Sequence, residues 1–278
     1  MTLERLLGGA IYFLTGAIGI LAFIYPFFLP VAADGAGLFA RSQQAPLLTA
    51  VLVGLSVLAL TVELQGQAIN AKTVAMLGVL VAVTSVLRFL EVAFPLPGGF
   101  SPVFAPIILA GYVFGGRFGY LMGTFSLLAS ALITGGVGPW LPYQMFTAGW
   151  VGLTAGWLKR IPGLAGRRSD DSLNLGIGTR ALILLAVFGF FWGLLYGVII
   201  NVYFWPFATG PVDQTWAPGI SLGETLGRYA VFYLVTSLAW DLFRAWGNVA
   251  LILLLGAPMA KALTRFQRRF HFEVGSHA

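Results

Sequence analysis

The sequence predicts an all-α polytopic membrane protein with about eight transmembrane helices. The chain has 278 residues, of which 58% are hydrophobic and 9% are charged, and its mean hydropathy is +0.88. Soluble domains carry about 25% charged residues. The apolar stretches are long and lack the period-two alternation of a membrane β-barrel, so helices satisfy the backbone groups in lipid.

Eight apolar stretches are predicted to be helices, and the fourth is unusually short. Its roughly 14 residues give only about 21 Å of helix, which spans a bilayer only if the preceding Gly/Pro-rich loop dips into the protein. The predicted spans cover residues 6–29, 46–62, 71–93, 102–115, 118–133, 142–158, 179–204 and 224–255.

Small residues recur every fourth position along several of these helices. The most extended series is Gly111, Gly115, Gly119 and Gly123. This spacing places small residues on one helix face, where neighbouring backbones approach closely in lipid. A turn near Gly115 is predicted to divide this series between two helices.

The distribution of basic residues predicts the orientation in the membrane. With a cytoplasmic N-terminus, only Arg41 falls in an external loop, which is the positive-inside pattern of an inner-membrane protein. Both termini are therefore expected in the cytoplasm of a prokaryotic cell. The net charge of +6 is explained by these loops rather than by nucleic-acid binding. The expected divisions are two N-terminal helices (1–66), a six-helix core (67–260) and a basic cytoplasmic tail (261–278).

Several common kinds of chemistry lack their residues in this chain. Cysteine is absent, both histidines (His271 and His277) lie in the polar tail, and no GxxxxGK[ST], HExxH or GxSxG motif occurs. We therefore expect no metal, no cofactor and no catalytic residue, and no ATP bound by a phosphate loop of this chain.

Charged pairs inside predicted helices are the main positive signal. Arg88 and Glu91 lie near the external end of the third span, and Asp241 and Arg244 lie in the middle of the eighth. Each pair is spaced i,i+3 on one helix face. A charge at the bilayer centre costs about 2.5–3.5 kcal/mol on insertion scales, so it usually faces a partner or a ligand. Both interpretations stay open: ligand contact, or an ion pair that fixes helix packing.

Polar and aromatic side chains are predicted to gather at the same external level. A ligand pocket needs apolar walls and a few convergent polar groups. The alternatives are aromatic anchoring at the interface, helix–helix hydrogen bonding and, for the arginine, snorkelling. The candidates are Trp140, Tyr143, Gln144, Asn201, Tyr203, Trp216 and Arg228.

Two stretches carry a family resemblance. GGFSPVFAPIILAGYVFGGRFGYLMGTFSLLASALITGGVGPWLPYQMFTAGWVG and SLAWDLFRAWGNVALILLLG resemble the substrate-binding (S) component of energy-coupling factor (ECF) transporters. The resemblance covers about three quarters of the chain, from Ala71 onward, and the two N-terminal helices are extra. It implies capture of a vitamin or vitamin precursor from outside.

The resemblance also implies partners and a mechanism. A transmembrane coupling subunit and two cytoplasmic ATPases would supply energy, and the S component would topple in the bilayer to deliver its substrate. In that family a small-xxx-small motif on the first core helix docks on the coupling subunit. Ala71 and Ala75 match that motif here, extended by Gly78 and Ala82.

Other classes of function remain open at the level of sequence. One is a self-sufficient transporter or facilitator that binds the same ligand without ATPases. Another is a membrane-embedded enzyme that uses Arg88, Glu91 or Asp241. A scaffold subunit without a ligand pocket is the third. A purified enzyme would change its ligand chemically, whereas an S component would bind it unchanged.

Overall fold

The computed structural model describes residues 3–28, six helical positions between 47 and 58, and residues 71–94, 100–161 and 177–270. Most of the predicted second span and Arg41 lie outside the described residues. The described part contains eight numbered α-helices and no strand, which confirms the all-α class. The helices are α1 (Leu3–Ile24), α2 (Ala71–Ala93), α3 (Phe104–Phe114), α4 (Gly116–Thr134), α5 (Leu141–Ala155), α6 (Thr179–Phe204), α7 (Leu222–Thr236) and α8 (Leu238–Phe270).

Three segments are both long and apolar enough to cross a membrane: Lys72–Ala93, Thr179–Phe207 and Leu238–Gln267. They correspond to α2, to α6 with the 3-10 turn after it, and to most of α8. The other helices are shorter or less apolar and complete the bundle around them. The orientation of the termini stays a prediction.

The short helix α3 lies at the centre of the bundle. All of its residues from Phe104 to Val113 are buried, and it contacts α4, α5, α6 and α8. At about 1.5 Å per residue its eleven residues span only some 16 Å. Because protein surrounds α3 on every side, its length need not match the thickness of the bilayer.

Glycine allows the backbones of α4 and α5 to touch. Gly115, with a φ of 102°, forms the turn between α3 and α4, as the sequence predicts. A Cβ placed on Gly119 would lie 2.3 Å from the carbonyl oxygen of Gly152, and one on Gly123 would lie 2.1 Å from that of Ala148. These two helices therefore pack at a distance that only small residues permit.

A second close interface joins α6 to α8. A Cβ on Gly193 would lie 2.4 Å from the Cα atom of Ala245, and one on Gly197 would overlap the Asp241 carboxylate. Asn248 Nδ2 donates a hydrogen bond of 2.9 Å to the Gly189 carbonyl. The glycines at every fourth position of α6 thus face α8.

The prediction of one continuous helix over residues 224–255 is wrong in two respects. It breaks at Ser237, whose φ and ψ are −128° and −29°, and its second part runs on to Phe270. The Ser237 hydroxyl accepts a hydrogen bond of 2.8 Å from Asn201 Nδ2 of α6. The helical backbone bonds on both sides of Ser237 are kept, since its N–H donates to the Tyr233 carbonyl and its carbonyl accepts from Asp241 N–H, so the break is a local kink. Residues 261–270 of the predicted tail continue α8.

The two ends of the bundle differ in chemistry. We call the aromatic end the one that holds Tyr143, Tyr203, Trp205 and Trp216, and the basic end the one that holds Lys159. At the basic end Lys159 Nζ donates a hydrogen bond to the Val113 carbonyl and lies 5.6 Å above the ring of Tyr112. Lys159 lies in the 3-10 turn after α5, and burial lowers the pKa of its ammonium group.

Candidate functional site

Asp241 and Arg244 form an ion pair between α6 and α8. Arg244 Nη1 donates to Asp241 Oδ1 and makes a longer hydrogen bond of 3.4 Å to the Gly193 carbonyl. Its guanidinium carbon lies 5.2 Å from the ring centroid of Tyr196. Asp241 is 2% exposed, and its carboxylate lies against the backbone of Gly197. The absent side chain of Gly197 leaves the space that this carboxylate occupies.

Glu91 joins this pair from the end of α2. Its Oε2 atom accepts a hydrogen bond of 2.9 Å from Ser101 Oγ, in the segment before α3. Arg88 and Arg244 both exert an electrostatic effect on the Glu91 carboxylate. The structure therefore gathers the two predicted charged pairs, which are about 150 residues apart in sequence, into one charged cluster.

Tyr196 belongs to the charged cluster, and the sequence analysis missed it. Its ring lies under the Arg244 guanidinium group and packs edge-on against Phe104 at 4.7 Å. Position 196 lies one residue before Gly197, on the turn of α6 that faces Asp241. That proximity to a small-residue series is the sequence signal that could have identified it. Ser101 offered no comparable signal.

An aromatic stack lies beside the cluster at the aromatic end. The rings of Tyr143 and Tyr203 are 4.1 Å apart and nearly parallel, with an interplanar angle of 16°. Both side chains are buried. Tyr203 follows Tyr196 by about two turns on α6, so the two side chains lie on the same face of that helix. The structure thus brings together two of the predicted aromatic candidates.

The loop between α6 and α7 folds back over this end. Trp205 is 1% exposed, and its Nε1 atom donates a hydrogen bond of 2.8 Å to the Gln214 carbonyl. Arg228 donates to the Thr215 carbonyl at 3.2 Å and pairs with Glu224 at 2.5 Å. Through these bonds Arg228 holds the loop in place. Neither partner belongs to the charged cluster.

The remaining candidates lie at the edge of the site. Trp140 is 43% exposed and donates a hydrogen bond of 3.1 Å to the Gly136 carbonyl, which fits a role as an interface anchor. Gln144 is partly buried on α5. Asn201 of α6 donates to Ser237, the residue between α7 and α8, so its amide has the interhelical partner considered above.

A cavity of about 150 Å³ opens between α6 and α8 at the level of the charged cluster. Its volume is small for a vitamin-sized molecule, so the cluster as described is closely packed. The lining residues are Tyr196, Gly197, Ile200, Asn201, Ser237, Trp240, Asp241 and Arg244. No group of three or more potential metal ligands occurs in the described part of the chain.

The small-residue face of α2 is open among the described residues. Ala75, Gly78 and Ala82 are all exposed, and a Cβ on Gly78 would meet no atom of the described chain within 4 Å. This contrasts with the glycines of α4, α5 and α6, whose small faces are filled by neighbouring helices. The side chain of Ala71 lies outside the described residues.

Two apolar grooves flank this face of α2. The larger, of about 490 Å³, lies between α2 and the end of α8, and the other, of about 310 Å³, lies between α2 and α4. Lys72, Ala75 and Phe266 line the larger groove, and Gly78 and Phe125 line the smaller. The face therefore combines a flat strip of small residues with a recess on each side.

Comparison with known proteins gives one match. The family model described as "ECF transporter, substrate-specific component" matches residues 72–256, about two thirds of the chain. The match begins at α2 and ends within α8, so it leaves α1 outside. Neither a curated protein nor a solved structure matches the chain.

Proposed function

The chain belongs to the substrate-specific components of ECF transporters, and on that premise we propose that it captures a vitamin-like small molecule at the aromatic end of the bundle. The observation that carries this proposal is the charged cluster of Arg88, Glu91, Tyr196, Asp241 and Arg244. Arg244 pairs with Asp241 and lies over the ring of Tyr196, Glu91 bonds Ser101, and the Tyr143–Tyr203 stack lies on the same face of α6. Buried charges in lipid are costly and usually mark a functional site.

Within the cluster, the two charged pairs have different roles. Asp241 and Arg244 bond each other and the α6 backbone, so they form the wall that joins α6 to α8. Arg88 and Glu91 lie at the end of α2, close to the segment that precedes α3. Because loops move more readily than packed helices, this side of the cluster is where a ligand would enter.

Delivery is proposed to follow the family mechanism. The exposed strip of Ala75, Gly78 and Ala82 would dock on a transmembrane coupling subunit, since small residues let helix backbones approach in lipid. Two cytoplasmic ATPases would supply the energy, as the family implies. The aromatic end would face outward from a prokaryotic cell membrane before the protein topples.

The experiment that tests this function is purification from native membranes in mild detergent, followed by mass spectrometry of proteins and small molecules. We expect a coupling membrane protein, two ATPases and a bound small molecule. The protein alone with an unmodified small molecule would favour a self-sufficient facilitator. The protein alone and empty would contradict the proposal.

Arg88 provides the direct test of the site. In Arg88→Ala, the small molecule that co-purifies with the wild type is expected to fall at least tenfold per mole of protein. Arg180→Ala is the matched control, since Arg180 is exposed at the start of α6. Equal retention in the two variants would remove Arg88 from the binding site.

A further inference from the structure

Helix α1 lies outside the matched family region, yet it packs along the core. Thr15, Ala22 and Phe23 are at most 5% exposed, and a Cβ on Gly19 would lie 2.8 Å from the side chains of Phe146 and Trp150. A helix that served only as a lipid anchor would have no need of such a fit. One face of α1 is therefore built to contact α5.

These contacts continue to the aromatic end. The ring of Phe23 lies 5.0 Å from that of Tyr143, which stacks on Tyr203. In the 3-10 turn Tyr25–Phe28 that follows α1, the ring of Phe27 lies 6.1 Å from Trp205 and 5.7 Å from Trp216. Two aromatic residues of the N-terminal segment thus support both parts of the aromatic end.

The opposite face of α1 is exposed in the described part of the chain: Phe13 is 79% exposed and Leu21 is 65% exposed. Phe28, in the turn after α1, is 81% exposed. In addition, α1 contacts α5 and α6, whereas the open face of α2 borders α4 and α8. Docking at α2 would therefore leave α1 in place, so a defect in α1 should affect ligand capture rather than coupling.

We propose that α1 and its 3-10 turn are part of the ligand-binding end, with Phe23 and Phe27 as positioning residues. Phe23 holds the Tyr143–Tyr203 stack, and Phe27 holds the loop that carries Trp205 and Trp216. This inference rests on the proposed function, since it assumes that the aromatic end binds the ligand. It gives the extra N-terminal helix a role that the matched region does not contain.

The test compares Phe27→Ala with Phe27→Tyr and Phe28→Ala in the full chain. Phe27 is only partly buried, so its truncation should leave the protein folded, and Tyr restores the ring. Phe28 is the adjacent phenylalanine on the exposed side and serves as the control. Each purified protein is dialysed against a mixture of thiamine, riboflavin, biotin, nicotinate, pantothenate, folate and cobalamin, and the retained compound is measured by mass spectrometry.

A second readout needs no ligand. The chain has 8 tryptophans, so 5-fluorotryptophan labelling gives a small set of ¹⁹F resonances, and Trp205→Phe and Trp216→Phe assign the two of interest. Phe27→Ala should shift these two resonances, because ring contacts at this distance set their environment, whereas Phe28→Ala should leave them in place.

We expect Phe27→Ala to retain about tenfold less compound than the wild type, because the loop loses the two ring contacts that hold it in its binding position. Phe27→Tyr and Phe28→Ala should match the wild type. Wild-type retention by Phe27→Ala, or a loss without movement of the two resonances, would overturn the inference. If the wild type retains no compound, that result counts against the proposed function. The Trp205 and Trp216 resonances of Phe27→Ala then decide the positioning role: a shift supports it, and unchanged resonances overturn it.

Discussion

Replacement of Gly193 by Ala tests whether backbone contact between α6 and α8 holds the site together. The new Cβ would lie 2.4 Å from the Cα atom of Ala245, and ordinary contact begins near 3.4 Å, so the helices must separate by about 1 Å. The neighbouring atom is backbone and has no rotamer that could move away. Overpacking of this kind costs about 1–3 kcal/mol.

The strain should spread along the interface. One turn further on, the Asp241 carboxylate occupies the space left by Gly197, and Arg244 reaches the Gly193 carbonyl itself. Separating the helices would lengthen both contacts. Gly193→Ala should therefore lower ligand retention as well as stability.

The assay is the apparent midpoint of thermal unfolding of the purified chain in one detergent, followed by size-exclusion chromatography. At about 2–4 °C per kcal/mol, the midpoint should fall by roughly 2–12 °C. Gly78→Ala is the matched control, because its Cβ would enter open space and Ala favours a helix by about 1 kcal/mol. Equal midpoints for the two variants would refute the packing argument.

Two further predictions concern the small-residue face of α2 and the basic end of the bundle. Ala75→Trp should retain its bound compound but lose association with the coupling subunit in pull-down assays. Val187→Trp, at a position 46% exposed on α6, is the control and should keep both the compound and the association. Intact association in Ala75→Trp would exclude the α2 face as the docking site. Lys159→Met removes the hydrogen bond to the Val113 carbonyl at the end of α3 and should lower stability by about 1 kcal/mol, measured as the same thermal midpoint. Lys261→Met, at an exposed position of α8, is its control, and equal values for the two would show that the Lys159 bond contributes nothing.

Part of the site could be predicted from the sequence because charges and amides stand out in apolar helices. Arg88, Glu91, Asp241 and Arg244 were selected as candidates in this way; the structure pairs Arg244 with Asp241, and their role in binding stays a prediction. Their partners Tyr196 and Ser101 were missed because tyrosine and serine are common in membrane helices and loops. Only the packing of α6 and the segment before α3 gives them a charged neighbour.

The sequence by itself determined the class, the central short helix and the positions of close packing, since length, hydropathy and the spacing of small residues act locally. It placed the turn at Gly115, where only glycine tolerates a φ of 102°. The tertiary structure decided which small faces are filled and which are open: Gly193 meets Ala245, whereas Gly78 meets no described residue. It also decided the break at Ser237 (φ −128°), because contacts with other helices, such as the bond from Asn201, cannot be deduced from local helix preference.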